Sequence, residues 1–303
     1  MSDLVLEQVS RWYGNVVAVN DVSMQIRPGI TGLLGPNGAG KSTLLSMMAG
    51  LLAPSAGSVS LDGRPVRGDV GMYRHIGLVP VQESLYDFLT GEQFVRLNAD
   101  LHKLPQAKAA TAHAIGLVDL ADAASRKIST YSKGMRQRIK VAAALVHDPA
   151  VLLLDEPFNG MDPIQRRSMM GLLNSYAAQG RTIVFSSHIL EEVEQLARQV
   201  EVVVSGRHAA SGDFAAIRRL MTDRPNQYRI RSSDNRALAT LLLREPTVRG
   251  VRINDKFLEV EADDFGAFAN VVARAARSAN IRILELIPTD ESLESVFSYL
   301  VGR

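Results

Sequence analysis

The sequence contains no cysteine, a single tryptophan and only 6% aromatic residues. Without cysteine there can be no disulfide and no thiol nucleophile, which fits a reducing compartment. Long hydrophobic runs are also lacking. The longest apolar stretches, VLLLD at 151–155 and VEVVVSG at 200–206, have strand length, well short of the roughly 20 residues a membrane-spanning helix needs. The opening residues, MSDLVLEQVS, have neither the basic start nor the apolar core of a signal peptide. Charge of one sign is not in excess: 34 Lys and Arg oppose 32 Asp and Glu, for a net charge of +2. The basic residues are scattered, so nothing calls for nucleic acid. These absences predict a soluble cytoplasmic protein whose membrane role, if any, is exercised through a partner.

What is present is a chain of 303 residues, 46% of them hydrophobic, enough for about two domains with substantial cores. The stretch GPNGAGKST (Gly35, Pro36, Asn37, Gly38, Ala39, Gly40, Lys41, Ser42, Thr43) fits the phosphate-loop pattern G-x-x-x-x-G-K-[ST]. Glycines let the backbone turn tightly enough for successive N–H groups to face one phosphate. The helix beginning near Lys41 adds the positive end of its dipole. Lys41 can reach the β- and γ-phosphates, the Ser42 hydroxyl can ligate Mg²⁺, and Thr43 lies near the α-phosphate. A Gly-rich turn can match by accident, but ITGLLG reads as a buried strand leading in and KSTLLSMMAGLL as a helix leading out, the context the motif requires.

Upstream, LVLEQVS and VVAVNDVSMQI read as two short strands around a break carrying Trp12 and Tyr13. A ring at such a break packs a hairpin corner or, beside a phosphate loop, stacks on a purine; the loop favours Tyr13 as a base platform. GSVSLDGRPV reads as a hairpin turning at Asp-Gly. IGLVP is a strand leaving the sheet at Pro80, with Gln82 just beyond as an ordinary loop amide or a contact to Mg²⁺ or the attacking water. Residues 90–130 read as a helical insertion, with a Thr cap before TGEQFVRLNADLHKL. In YSKGMRQR, Ser132 and Gly134 open an amphipathic helix whose N–H groups can hold an anion. VLLLDEP is a buried strand presenting Asp155 for the Mg²⁺ and Glu156 as general base; paired acids after a strand can also cap a helix. Asp162 precedes a proline. TIVFSSH is a further buried strand, and His188 at its end can hydrogen-bond a γ-phosphate if it joins the same constellation.

Together these residues resemble the nucleotide-binding subunit of an ABC transporter over about residues 3–212, with the motifs in the family's order. Tyr13 matches the adenine-stacking aromatic and Gly35 to Ser42 the Walker A loop. Asp155 and Glu156 match the Walker B pair, Asp162 the D-loop and His188 the switch histidine. The resemblance implies an α/β P-loop NTPase: a RecA-like core sheet, an antiparallel β subdomain and a helical subdomain at about 88–140. It implies an ATPase with ATP and Mg²⁺ working as a head-to-tail pair with a second ATPase subunit, expected to be a second copy, and coupled to a separately encoded integral membrane permease. ATP then lies between the Walker loops of one copy and the signature of the other. The signature departs from L-S-G-G-Q, reading Tyr131, Ser132, Lys133, Gly134 and Met135. The D-loop reads Asn159-Gly160-Met161-Asp162 instead of Ser-Ala-Leu-Asp. Val81 separates Gln82 from Pro80, one residue out of the Q-loop register.

The tail, residues 213–303, changes composition. Its order YRIRS, NRALATLLLRE, VRGVRI, FLEVEAD, FGAFANVVARAARSAN, RILELIP is βαββαβ, a ferredoxin-like α+β domain. A last helix, ESLESVFSYLV, sets Leu293, Val296, Phe297 and Leu300 on one face, to dock on its own domain or on a second copy. This ending resembles the ATPase subunits of type-2 ABC exporters. The reading is therefore a cytoplasmic ATPase at the inner face of the membrane, driving export through a permease. The alternatives are a soluble ABC ATPase or a nucleotide-dependent regulatory module.

Overall fold

Parallel strands buried on both faces need nearly continuous apolar sequence, and the first 204 residues supply it at β3 (Gly29–Leu34), β6 (Ile76–Val79), β7 (Val151–Asp155), β8 (Thr182–Ser187) and β9 (Gln199–Val204). In the computed structural model, which describes residues 3–82, 85–213, 226–254, 256–263 and 265–288, these five align in parallel. With the antiparallel edge strand β10 (Arg207–Gly212) they form a sheet of order β10-β9-β3-β8-β7-β6. The described residues divide between two units, Met1–Phe214 and Ala215–Arg303.

The first unit holds a second, antiparallel sheet of order β2-β1-β4-β5, from β1 (Leu4–Tyr13), β2 (Val16–Ile26), β4 (Ala56–Leu61) and β5 (Arg64–Pro65). Strand β2 is the eleven-residue stretch VVAVNDVSMQI read from the sequence, whereas β1 is ten residues long and runs past LVLEQVS through Arg11, Trp12 and Tyr13. The β4–β5 hairpin turns at Asp62 and Gly63, both at positive φ (51° and 76°), the conformation that favours Asp-Gly in two-residue turns. Helix α1 (Lys41–Met48) buries Leu44, Leu45, Met47 and Met48 in one cluster with Leu4, Leu6 and Val22 of the antiparallel sheet and Leu33, Leu153 and Val184 of the parallel one. Each such side chain contributes about 2 kcal/mol, so α1 is fixed against both sheets at the point where its N-terminus meets the loop before it.

Helices α2 (Gly91–Leu101), α3 (Ala107–Leu117) and α4 (Lys133–Leu145) make the helical insertion. Thr90 caps α2 through a reciprocal pair: its hydroxyl accepts from Gln93 N–H at 3.1 Å, and Gln93 Oε1 accepts from Thr90 N–H at 2.9 Å. Lys140 of α4 donates to the Pro80 carbonyl at 2.9 Å, tying the insertion to the end of β6. Helix α5 (Pro163–Ala177) and the short α6 (Leu190–Leu196) complete this unit.

In the second unit, β11 (Asn226–Ser232), α7 (Asn235–Leu242), β12 (Val248–Ile253), β13 (Leu258–Ala262), α8 (Phe265–Ser278) and β14 (Ile283–Pro288) follow in βαββαβ order. The sheet order is β12-β13-β11-β14, all antiparallel, the arrangement of a ferredoxin-like domain. Its core joins Tyr228, Ile230, Leu258 and Val260 to Leu238, Leu242, Phe268 and Val272. The expected last helix with Leu293, Val296, Phe297 and Leu300 lies outside the described residues.

Candidate active site

The parallel order sets four strand ends side by side. Leu34 of β3 lies opposite Ser187 of β8, Ser186 of β8 opposite Asp155 of β7, and Leu154 of β7 opposite Val79 of β6. The chain thus delivers Gly35, His188, Asp155 with Glu156, and Pro80 to one edge of the sheet, the edge where open α/β folds bind ligands.

The loop from Gly35 to Gly40 is shaped by glycine where nothing else fits. Gly40, at φ +101°, precedes α1, and a methyl there would lie 2.5 Å from the Ala18 carbonyl oxygen. A methyl on Gly35 would lie 2.2 Å from the Val203 carbonyl oxygen. Ala39 is buried and accepts Gly206 N–H at 3.0 Å, while Asn37, Gly38 and Ser42 are exposed and Pro36 and Thr43 half-buried. The result is a rigid cradle at a helix N-terminus, suited to an anion. Lys41 is only 6% exposed, and Nζ donates to the carbonyls of Gly35 at 2.7 Å and Pro36 at 3.0 Å. Two of its three N–H donors are thereby used, and a phosphate oxygen can take the third. Burial holds its pKa below the usual lysine value, opposed by the nearby charges of Glu156 and then Asp155. Lys41 therefore senses both carboxylates.

Asp155 is buried and accepts from Ser186 Oγ at 2.5 Å. The same Oγ accepts Glu156 N–H at 2.9 Å. Glu156 sits at φ +50°, a left-handed conformation that costs a non-glycine residue about 1 kcal/mol or more. It is held there from three sides: by Ser186, by Gln137 Nε2 donating to its carbonyl at 3.4 Å, and by its carboxylate on His188 Nδ1 at 2.9 and 3.0 Å. His188 Nδ1–H donates to that carboxylate, and Nε2 takes no part in the pair. The His188 side chain is 41% exposed and that of Glu156 11%, so the pair opens outward. Behind it, Ser187 Oγ donates to Glu192 Oε2 at 2.7 Å, and Arg166 lies 3.3 Å from Glu192 Oε1. Burial raises the Glu192 carboxyl above its ordinary pKa, against the Ser187 hydrogen bond and Arg166.

Lys41, Asp155, Glu156 and His188 are thus one constellation, with Ser42 beside it. The other predicted residues stand around it. Tyr13 ends β1 on the hairpin that passes the loop through Ala18; it is 47% exposed, and the Arg11 guanidinium lies 4.7 Å over its ring. Gln82 is exposed beyond Pro80 and hydrogen-bonds to no described residue of the cluster. Ser132 caps α4, its hydroxyl accepting Met135 N–H at 3.3 Å. Gly134 is buried, and a methyl on it would lie 2.3 Å from Gln165 Oε1. Asp162 caps α5, accepting from Ile164 and Gln165 N–H at 2.9 and 2.8 Å. Sequence reasoning missed Ser186, Gln137 and Glu192. Ser186 was visible only as one residue of a strand, and its two roles come from cross-strand register.

The family model described as "ABC transporter" matches residues 19–159. Over 309 residues the chain is 31% identical to the linearmycin resistance ATP-binding protein LnrL of Bacillus subtilis, a match spanning 99% of this chain and 98% of that one. It is 34% identical over 306 residues to the Nod factor export ATP-binding protein I of Rhizobium leguminosarum bv. viciae, spanning 98% and 94%. An uncharacterized ABC transporter ATP-binding protein of Nostoc sp. is 40% identical over 204 residues, 66% of this chain and 61% of that protein. Among solved structures, the fold matches a dimeric ATP-binding cassette in a post-hydrolysis state with ADP and Pi, with a TM-score of 0.65 at 23% identity, covering 70% of this chain and 98% of that one. With a P-loop core, two carboxylates and a histidine at its strand ends, and two relatives matched nearly end to end, the chain belongs to the ABC transporter ATP-binding proteins, the ATP-hydrolysing subunits of these transporters.

Proposed function

We propose that two copies of the chain pair head to tail around two ATP molecules, that Glu156 is the general base of hydrolysis, and that the cycle drives export through a separate membrane permease. The observation that carries the reading is the Glu156–His188 pair at the ends of adjacent strands, within electrostatic reach of Lys41. The cradle from Gly35 to Thr43 wraps the phosphates, and Lys41 neutralises charge at the β- and γ-phosphates. The free face of Tyr13, opposite Arg11, takes the adenine. Ser42 and Asp155 are an all-oxygen donor set that fits Mg²⁺, with Gln82 as a further donor from its loop; when bound, the ion neutralises phosphate charge. Glu156 takes a proton from water as its oxygen attacks the γ-phosphorus and the bond to the bridging oxygen breaks. His188 holds the Glu156 carboxylate through Nδ1 and offers Nε2 to a γ-phosphate oxygen.

Ser132, Lys133, Gly134 and Met135 of the partner copy close on the γ-phosphate from the other side, with Asp162 of the D-loop beside them. These contacts exist only in the closed pair, so binding closes it and hydrolysis reopens it. The nucleotide work belongs to residues 1–212, and residues 213–303 form an accessory domain. Export follows the relatives whose names state export or resistance. The permease docks on the helical insertion of residues 90–130 and the loop at Gln82, beside which Val81, Tyr86 and Phe88 lie exposed, the last 73% exposed, and this sets the ATPase at the inner face of the membrane. Glu156→Gln tests the core of this. It should bind Mg-ATP, lose hydrolysis by about 10²-fold or more, and shift to a dimer in light scattering. Ordinary turnover in that variant would remove Glu156 from its role. Purification from membranes without any multi-span protein would speak for the soluble alternative.

A further inference from the structure

Among the four residues that end the signature, one is chemically out of place. Lys133 is the first residue of α4, exposed, between the capping Ser132 and the buried Gly134. No described residue pairs with its ammonium. Its stem, by contrast, is seated. Gly160 stands against it at φ +75°, and a methyl on Gly160 would lie 2.7 Å from Lys133 Cβ and 3.6 Å from its carbonyl carbon. On the other side, Gly134 is closed in by Gln165 and by the Gly160 carbonyl, which lies 3.1 Å from where a Cβ would stand. The backbone on both sides of Lys133 is therefore closely packed, and the residue itself is exposed. The two departures from the family pattern, lysine in the signature and glycine in the D-loop, meet at one contact.

A lysine ammonium extends about 6 Å from its Cα. The head-to-tail reading sets its neighbours Ser132 and Gly134 against the partner copy's triphosphate, and an extended lysine between them has the length to span such a contact. We infer that Lys133 delivers a positive charge across the interface to the triphosphate held by the partner copy, and that glycine at 160 leaves room for its stem. The inference rests on the head-to-tail reading above and adds to it the charge that closes the pair. A charge-assisted contact of this kind exists only when the copies meet, so it acts on pairing and weakens with salt as exposed charges do.

The test uses the full chain carrying Glu156→Gln, with Mg-ATP titrated against dimer formation by light scattering at low and high salt. Adding Lys133→Gln, which keeps most of the stem and removes the charge, should raise the ATP concentration at half-dimerisation about tenfold at low salt. The gap should narrow at high salt, and Lys133→Arg should restore the parent's behaviour. An identical midpoint and salt dependence for the parent and the glutamine variant would overturn the inference while leaving the pair intact. A parent that stays monomeric with Mg-ATP would overturn the pair itself, and the inference with it. The seating has its own arm. Gly160→Ala should impair dimerisation in the Lys133 chain and less so together with Lys133→Gly; equal damage in both would report backbone strain alone and overturn the seating.

Discussion

At the scale of the residue, the site depends on how Glu156 is held. A glutamate at φ +50° is strained, and the strain persists because Ser186 accepts its N–H while donating to Asp155. VLLLDEP was enough to find both acids, because a buried apolar strand ending in carboxylates is a local pattern. Ser186 was not legible, since its partners are set by the pairing of β7 with β8, 30 residues apart for Glu156. Ser186→Ala leaves Asp155 without its hydroxyl donor and Glu156 N–H without an acceptor. The expected outcome is a stability loss of about 1–3 kcal/mol with a fall in kcat larger than any change in KM, measured by denaturant titration and steady-state kinetics. Lys41→Ala makes a contrasting case. It removes the buried ammonium that bridges the loop carbonyls and that is proposed to meet the phosphates. ATP affinity by calorimetry should fall at least tenfold, about the worth of one charge-assisted contact.

At the scale of the element, α2 and α4 are pinned to β6 by contacts that sequence periodicity does not show. The Thr90 cap and the start of α4 at Ser132 are local and readable. The packing of His102 on His147, rings stacked 3.8 Å apart, is not. His147 Nε2–H donates to the Ile76 carbonyl at 3.2 Å, while Nδ1 is buried with no acceptor facing it. A second proton would have to go onto Nδ1. Burial first, then the neighbouring His102 and more weakly His75, push its pKa down to about 4, against the Ile76 hydrogen bond and Asp148. Burial and Arg74 also lower His102. Because the unfolded chain protonates His147 near pH 6.5 and the folded chain only near 4, its contribution to stability is complete above about 6.5 and falls as pH drops through that window, and the lowered His102 acts in the same direction. For His147, partly reached by solvent, the loss is on the order of 2 kcal/mol. Urea titrations from pH 7.5 to 4.5 should show it, and His147→Gln should flatten the slope. An unchanged slope would mean that the stack does not titrate with folding.

At the scale of the whole molecule, the residues proposed to meet the nucleotide, from Tyr13 to His188, all fall within the first unit, Met1–Phe214. The alternation of patterns after residue 226 was enough to read βαββαβ. The sheet order β12-β13-β11-β14 was not, because it depends on long-range pairing of β11 with β14, Tyr228 opposite Pro288. Each unit closes its own apolar cluster: α1 joins the two sheets of the first, and Phe268 packs on Tyr228 at 4.3 Å in the second. A unit with its own core keeps its fold when cut from its neighbour. A chain ended at residue 212 should therefore remain soluble, bind Mg-ATP with the affinity of the full chain, and melt cooperatively. If the truncated chain binds ATP but no longer pairs in the Glu156→Gln background, the second unit contributes to the dimer. If it pairs as the full chain does, the work of residues 213–303 lies outside the nucleotide cycle, and the place to look for it is the complex with the permease. Loss of ATP binding itself would mean that the nucleotide site needs residues beyond 212, against the division of labour drawn from the two cores.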